Sequence, residues 1–383
     1  MSDTTGESVG APVPPETLDM QRSSRDLEQL RVDLQLWLAQ QLPEGADPQV
    51  PELSATSANG MSSETLLFEA AWTEGGQERW EPLVARAAPD PHDIPVFASY
   101  DMRRQYDAIR LVGELTDVPV PKVWWYEGDT SVLGAPFFVM ERVDGRVPPD
   151  VMPYNFGDSW LYDASPEEQR RLQDASVEVL TRLHAIDDAE RRFGFLAFDE
   201  PGATAVERHL AHTESWYRFA AEGPDGMRSP LTERGLRWLR DHLPSDPGDT
   251  VVCWGDARIG NVIYDGFRPA AVLDWEMAGL GPRELDVAWM VFAHMVFEDI
   301  ASVFELPGMP DFLRPEDVVA TYEAASGVAL GDLRWFLVYA AVEWGVVFLR
   351  TSARQLHFGE IEPPDQVDDL LRHANVFERL LAD

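Results

Sequence analysis

The chain has 383 residues, long for one domain and short for more than two, and its 45% hydrophobic content is enough for a substantial buried core. Sixty-seven acidic side chains against 31 basic ones give a formal charge of −36, which repels nucleic-acid phosphates and anionic membrane surfaces and makes both poor partners. The acidity serves solubility or draws a cationic substrate, and composition leaves both open. A single cysteine, Cys253, excludes an internal disulfide and a cysteine-rich zinc site. No stretch reads as a transmembrane helix, since the apolar run at 335–349 is interrupted by Glu343. The first residues lack the basic start and apolar centre of a secretion signal, so the cytoplasm is the expected compartment.

Residues 1–22, rich in Ser, Thr, Gly, Pro and acid, are expected to form a disordered tail. Leu27, Leu30, Leu34, Trp37 and Leu38 then recur at helical spacing after a candidate cap at Ser24, predicting a helix to about Gln41. A small-residue loop leads into a hairpin broken by the glycines at 75–76, residues 100–115 return to helical periodicity, and KVWWYEG and PFFVMERV read as two more strands. These make a small mixed lobe over 23–143. Residues 144–383 read as a second, mainly helical lobe, with a helix starting at Ser165-Pro166-Glu167-Glu168, where serine caps and Glu168 returns the hydrogen bond. Helical patterns follow at 204–221, 231–242, 284–299, 315–325, 331–354 and 365–381. Short strand-like runs appear at TVVCW, NVIYD and AAVLD and predict one small cluster of strands.

Residues 251–289, VVCWGDARIGNVIYDGFRPAAVLDWEMAGLGPRELDVAW, carry the chemistry. Asp256 and Asn261 lie in a loop between two strand-like runs, and Asp274 ends a third run thirteen positions after Asn261. Pairing of NVIYD with AAVLD would bring Asp274 beside Asn261, so three oxygen-bearing side chains would face one cleft. Phosphoryl transfer needs such a set, because Mg2+ takes a few hard oxygen ligands beside phosphate oxygens and the attacking hydroxyl needs a proton acceptor. The G-L-G at 279–281 lacks a third glycine and precedes Pro282, so a turn is expected there rather than a dinucleotide site. No G-x-S-x-G or H-E-x-x-H occurs, leaving a serine hydrolase elbow and a zinc helix without support.

Gly255, Asp256, Asn261, Asp274, Trp275 and Glu276 match the catalytic segment of the aminoglycoside phosphotransferase family, and the stretch resembles that branch of the protein-kinase-like fold. The wording MER, GDARIGN and LDWE is most similar to the phosphotransferase-like domains of mycobacteria and of animal acyl-CoA dehydrogenase fusions. The resemblance implies an α+β, two-lobed fold, with an antiparallel sheet in the small lobe. It implies that Asp256 is the base, that Arg258 approaches the transferring phosphate, and that Asn261 and Asp274 hold Mg2+. Asp286 would brace the catalytic loop, and Glu276 would support it. In the small lobe, Ser57, Asn59 and Gly60 fall in the phosphate-covering loop, Arg86 takes the place of the phosphate-gripping lysine, and Gln105 stands where its acidic partner is usual. The backbone around Met140 to Val143, with Glu141 and Val143 in it, would meet the nucleobase of ATP or GTP, an ordinary core strand being the alternative. Trp254 replaces the family's histidine, a change expected to touch loop positioning more than chemistry.

These expectations describe a small-molecule O-kinase, with a nucleotide-binding pseudokinase or scaffold as the alternative, the latter favoured by Trp254, Arg86 and Gln105. A protein kinase is disfavoured because the chain passes from Asp274-Trp275-Glu276 toward a helix with little room for an activation loop. The acceptor stays open among aminoglycosides, other hydroxylated metabolites and hydroxyacyl compounds. If it is cationic, Glu284, Glu298 and Asp299 are candidates to line its site.

Overall fold

The computed structural model describes residues 26–55, 63–90, 94–150, 153–223 and 225–382. Ser24 and the segment 1–22 lie outside them. Helix α1 (Leu27–Gln41) is capped by Asp26, whose carboxylate accepts the backbone N–H groups of Glu28 and Gln29. Strands β1 (Leu53–Ala55), β2 (Glu64–Glu74) and β3 (Gln77–Ala87) follow, with β2 and β3 paired in unbroken register from Glu64↔Ala87 to Glu74↔Gln77. Gly75 and Gly76 close that hairpin at φ +60° and +80°. Helix α2 (Met102–Leu115), β4 (Val123–Glu127), the one-turn helix α3 (Thr130–Leu133) and β5 (Phe137–Glu141) complete an antiparallel sheet of order β1-β2-β3-β5-β4.

Alternation along β5 divides the core between the two faces of this sheet. Phe137 and Val139 pack with Leu34, Trp37 and Leu38 of α1, while Phe138 and Met140 join Ala108, Ile109 and Val112 of α2 in an apolar cluster that continues into the second lobe. The small lobe is thus joined to the large one through α2. After β5 the chain crosses at Arg146, whose backbone exchanges hydrogen bonds of 2.9 and 2.8 Å with Tyr264. Gly145 makes this approach possible, since a Cβ there would lie 2.5 Å from Ile263 and 2.7 Å from the Tyr264 carbonyl.

The large lobe holds α4 (Pro166–His184), α5 (Ala189–Arg192), α6 (Ala205–Glu222), α7 (Pro230–Asp241), β6 (Thr250–Cys253), β7 (Val262–Asp265), β8 (Arg268–Val272), β9 (Gly279–Pro282), α8 (Glu284–Val303), α9 (Pro315–Ser326), α10 (Arg334–His357) and α11 (Ala374–Ala382). Ser165 and Glu168 form the expected capping box of α4. Helix α10 is long and apolar enough to cross a membrane by length and composition, yet it packs inside the protein against α6, α7 and α8.

Two expectations are corrected. The G-L-G at 279–281 is strand β9, paired with β6 from Thr250↔Pro282 to Cys253↔Gly279, so the strands form two ribbons, β6-β9 and β7-β8. Its glycines answer to packing: a Cβ on Gly281 would stand 2.5 Å from Leu285 and 2.9 Å from His209. The helix expected at 365–381 is divided into a 3-10 turn at Val367–Leu370 and α11. His373 lies at the break, fully buried, with its ring Nε2 2.8 Å from the Ala341 carbonyl oxygen.

Candidate active site

The loop between β6 and β7 is held from below by one carboxylate. Asp286, fully buried on α8, accepts the backbone N–H groups of Trp254 at 2.7 Å and Gly255 at 2.8 Å, and its Oδ2 lies 3.0 Å from His184 Nε2. His184 Nδ1 pairs with the Tyr322 hydroxyl at 2.9 Å, so α4, α8 and α9 converge on the loop. Gly255 turns the chain at φ +88°, and a Cβ there would overlap the Met277 carbonyl oxygen. Trp254 is buried and donates its indole N–H to the Leu273 carbonyl at 2.8 Å, tying the loop to the residue before Asp274. The residue in the family's histidine position is therefore itself a loop organiser.

The loop presents Asp256. Its Oδ2 accepts from Asn261 Nδ2 at 2.7 Å, and its Oδ1 accepts from Trp289 Nε1 at 2.8 Å and Arg258 Nε at 3.0 Å. Burial, with Asp274 nearby, pushes the Asp256 carboxyl up to about 7, against the opposing hydrogen bonds of Asn261 and Trp289. Register on the second ribbon delivers Asp274: Val262 faces Val272, and the Leu273 N–H bonds the Asn261 carbonyl at 2.9 Å. Asp274 sits at φ +54°, an uncommon conformation for a residue with a side chain.

Arg86, on β3, forms a close ion pair with Asp274 and donates to the Thr65 hydroxyl at 2.9 Å. This β-sheet arginine is buried, and it joins the small lobe to the end of β8. Lys122 is the chain's only lysine, and its ammonium lies over the Trp124 ring. Asn261 and Asp274 offer the hard oxygen atoms that Mg2+ prefers, and the guanidinium on Asp274 marks this carboxylate as placed to attract a cation. The donor set therefore fits a magnesium ion bound together with phosphate oxygens.

The sequence profile of the phosphotransferase enzyme family matches residues 72–308, more than half of the chain and all of the geometry just described from Arg86 to Asp286. The chain belongs to that family. Curated relatives include a probable acyl-CoA dehydrogenase of Arabidopsis thaliana, IBR3, 27% identical over 292 residues, covering 72% of this chain and 33% of the relative. Acyl-CoA dehydrogenase family member 11 of Homo sapiens is 26% identical over 261 residues, covering 66% and 30%. The chain spans about a third of the length of these relatives. Among solved structures, a Ralstonia eutropha protein assigned as an aminoglycoside phosphotransferase superposes with TM-score 0.63 at 23% identity, covering 91% of this chain and 96% of the other. A thermostable mutant of aminoglycoside phosphotransferase APH(4)-Ia, in ternary complex with ADP and hygromycin B, gives 0.53 at 15% identity, covering 92% and 99%. These likenesses establish the two-lobed α+β kinase-like fold.

Within this phosphotransferase site, several sequence assignments need adjustment. Gln105 does not pair with Arg86: it is buried on α2 with its amide 3.9 Å from Met102 Sδ, and Asp274 takes the guanidinium instead. Arg258 is held by two carboxylates, Asp256 and Asp150, and burial lowers its pKa from the ordinary value. Glu276 is part-buried, and its charge acts on Arg258. The Glu141 carboxylate accepts the Lys122 backbone N–H at 3.2 Å, and Val143 follows at the turn out of β5. Ser57, Asn59 and Gly60 lie outside the described residues. Glu284 is tied to the Gly331 N–H, Glu298 to Asn155 and the Met309 N–H, and Asp299 to Arg379 and Asn375.

Sequence reasoning missed Trp289, His184 and Asp150. Trp289 stands three residues after Asp286, one turn along the same helix face, and that spacing could have revealed it. His184 ends α4 and Asp150 lies on the crossing between lobes, and neither carries a local signal. His184, Cys253 and Asp286 bring ligand-type atoms within 4.8 Å of one another. Their donors and acceptors are engaged by the catalytic loop, Tyr322 and the carbonyls of Gly281 and Pro282, so the cluster reads as a brace.

Proposed function

We propose that this phosphotransferase moves the γ-phosphoryl group of ATP or GTP, bound with Mg2+, to a hydroxyl of a small molecule. The observation that carries the reading is Asp256, a mostly buried carboxylate fixed on three sides by Asn261, Trp289 and Arg258, with the charge of Asp274 acting on it. A base so oriented accepts the proton of an attacking hydroxyl and aims its oxygen at the phosphorus, and its elevated pKa suits proton transfer near neutrality. Arg258, shared between Asp256 and Asp150, stands where a guanidinium can meet the charge that develops on the transferring group. Magnesium, when bound, supplies neutralisation of the β and γ phosphates, with Asn261 and Asp274 as its protein ligands. Arg86 grips the α and β phosphates, and the backbone of Glu141 to Val143 takes the nucleobase edge.

A small acceptor is favoured over a protein, because only nine residues separate Asp274 from Glu284 at the start of α8, and four of them form β9. That span leaves little chain for a loop that could seat a polypeptide. The relatives' association with acyl-CoA dehydrogenases and the hygromycin B complex of a structural neighbour both leave the acceptor a hydroxyl-bearing metabolite or drug. Nucleotide binding without transfer is the second reading, supported by the occupation of Arg86 by Asp274. The test is release of ADP or GDP from magnesium nucleotide across a panel of hydroxyl compounds, with Asp256→Asn as control. Acceptor-dependent release that the variant loses supports the proposal. Nucleotide binding with no release in either protein supports the second reading.

A further inference from the structure

Arg86 and Asp274 present a competition that the phosphotransfer reading alone does not include. The Asp274 carboxylate is a ligand the metal needs, yet a buried guanidinium already rests on it, steadied from behind by the Thr65 hydroxyl. The side chains of Arg86 and Asp274 are 9% and 17% exposed, so solvent screens this pair weakly. Gln105 of α2 is neutral and turned to Met102, so it does not draw Arg86 away from Asp274. A divalent cation coordinated to Asp274 would stand within a few ångströms of the guanidinium, and like charges at that separation in a part-buried cleft repel strongly.

We propose that Arg86 determines that the site takes its metal only as a metal–nucleotide complex: it holds Asp274 against the free ion and gives it up when nucleotide phosphates offer the guanidinium a better set of acceptors. The phosphates play both parts of the exchange, drawing Arg86 away and completing the metal's oxygen shell. This rests on the nucleotide-and-metal reading given above, and it adds a discrimination between free and nucleotide-bound metal. Charge, rather than shape, is the operative property. Arg86→Lys should therefore preserve the block and Arg86→Gln should release it.

The experiment titrates Mn2+ alone, without nucleotide, into the full chain and its variants, following free Mn2+ by electron paramagnetic resonance. Wild type and Arg86→Lys should bind weakly, and Arg86→Gln should gain affinity by about ten-fold or more. The double variant Arg86→Gln/Asp274→Asn should lose that gain, which separates the site from Mn2+ scattered over a strongly acidic surface. Arg86→Met, which also removes the charge while keeping a long side chain on β3, provides the same gain should Arg86→Gln fail to fold. No gain in Arg86→Gln or Arg86→Met, or a gain that persists without Asp274, would overturn the proposal. A parallel titration with Mg2+ and AMP-PNP distinguishes the two levels: failure of wild type to bind that complex strikes the proposed function, whereas normal binding with no Mn2+ gain in the variants strikes only the role of Arg86.

Discussion

Asp150 and Gly260 meet at the edge of the catalytic loop, and their contact shows how single residues tune the site. A Cβ on Gly260 would overlap the Asp150 carboxylate, the same group that pairs with Arg258. Glycine at this position therefore lets the crossing between lobes reach the guanidinium beside Asp256. Gly260→Ala should push Asp150 off Arg258, and Asp150→Asn should weaken the same tie directly. Both are expected to lower kcat by roughly ten-fold while nucleotide affinity stays within a few-fold, because neither touches Arg86 or Asp274. Steady-state kinetics with magnesium nucleotide check this, and equal losses in affinity and kcat would place Asp150 in nucleotide binding instead. At Gly255 the constraint is backbone: with φ +88° and the Met277 carbonyl in the way of any Cβ, Gly255→Ala should destabilise the fold by about 2 kcal/mol or more, read as a lower Tm.

The elements differ in how openly the sequence announces them. Pairing of NVIYD with AAVLD is legible because each run has strand-forming residues and a tight turn between, and from it follows the approach of Asp274 to Asn261. The capping box at Ser165 and Glu168 is legible for the same local reason. Strand β9 is not, since Gly279-Leu280-Gly281-Pro282 has neither alternation nor β-branched residues, and it becomes a strand only because β6 supplies a partner and Leu285 and His209 leave no room for side chains. The strand that carries Arg86 can be read from its own residues, but the partner of Arg86 lies 188 residues away and no helical spacing names Asp274. Gly281→Ala tests the packing of β9: crowding against Leu285 and His209 should cost about 1 to 3 kcal/mol, seen as a reduced midpoint in urea. An unchanged midpoint would mean that α6 and α8 yield easily around the strand.

Across the whole molecule, buried titratable groups set the response to acid. Burial pushes His209, His294 and His373 each down to about 4 from 6.5. Between those values the unfolded chain binds protons that the folded chain refuses, so their contribution to stability is full above pH 6.5 and lost as pH falls toward 4. Glu343, buried with Thr213 and Tyr339 hydrogen-bonded to it, is pushed the other way, up to about 7 from 4.5. In the same window its folded form holds a proton that the unfolded form has released, which partly offsets the histidines. Glu343→Gln should therefore steepen the fall of Tm between about pH 6.5 and 5, and a slope equal to that of the wild type would show that Glu343 is ionised in the fold. The two lobes converge on Asp274, through Arg86 from β3, and on Asp256, through Asn261, Trp289 and Asp286 from the helical side, and in the proposed function the two carboxylates divide metal binding from proton transfer. The most direct test of that division measures binding of Mg2+ with AMP-PNP, and turnover of magnesium nucleotide, in Asp256→Asn and Asp274→Asn. Asp256→Asn is expected to keep affinity within a few-fold and to lower turnover by on the order of 100-fold, whereas Asp274→Asn should lose affinity and turnover together. Loss of binding in Asp256→Asn with binding preserved in Asp274→Asn would contradict it.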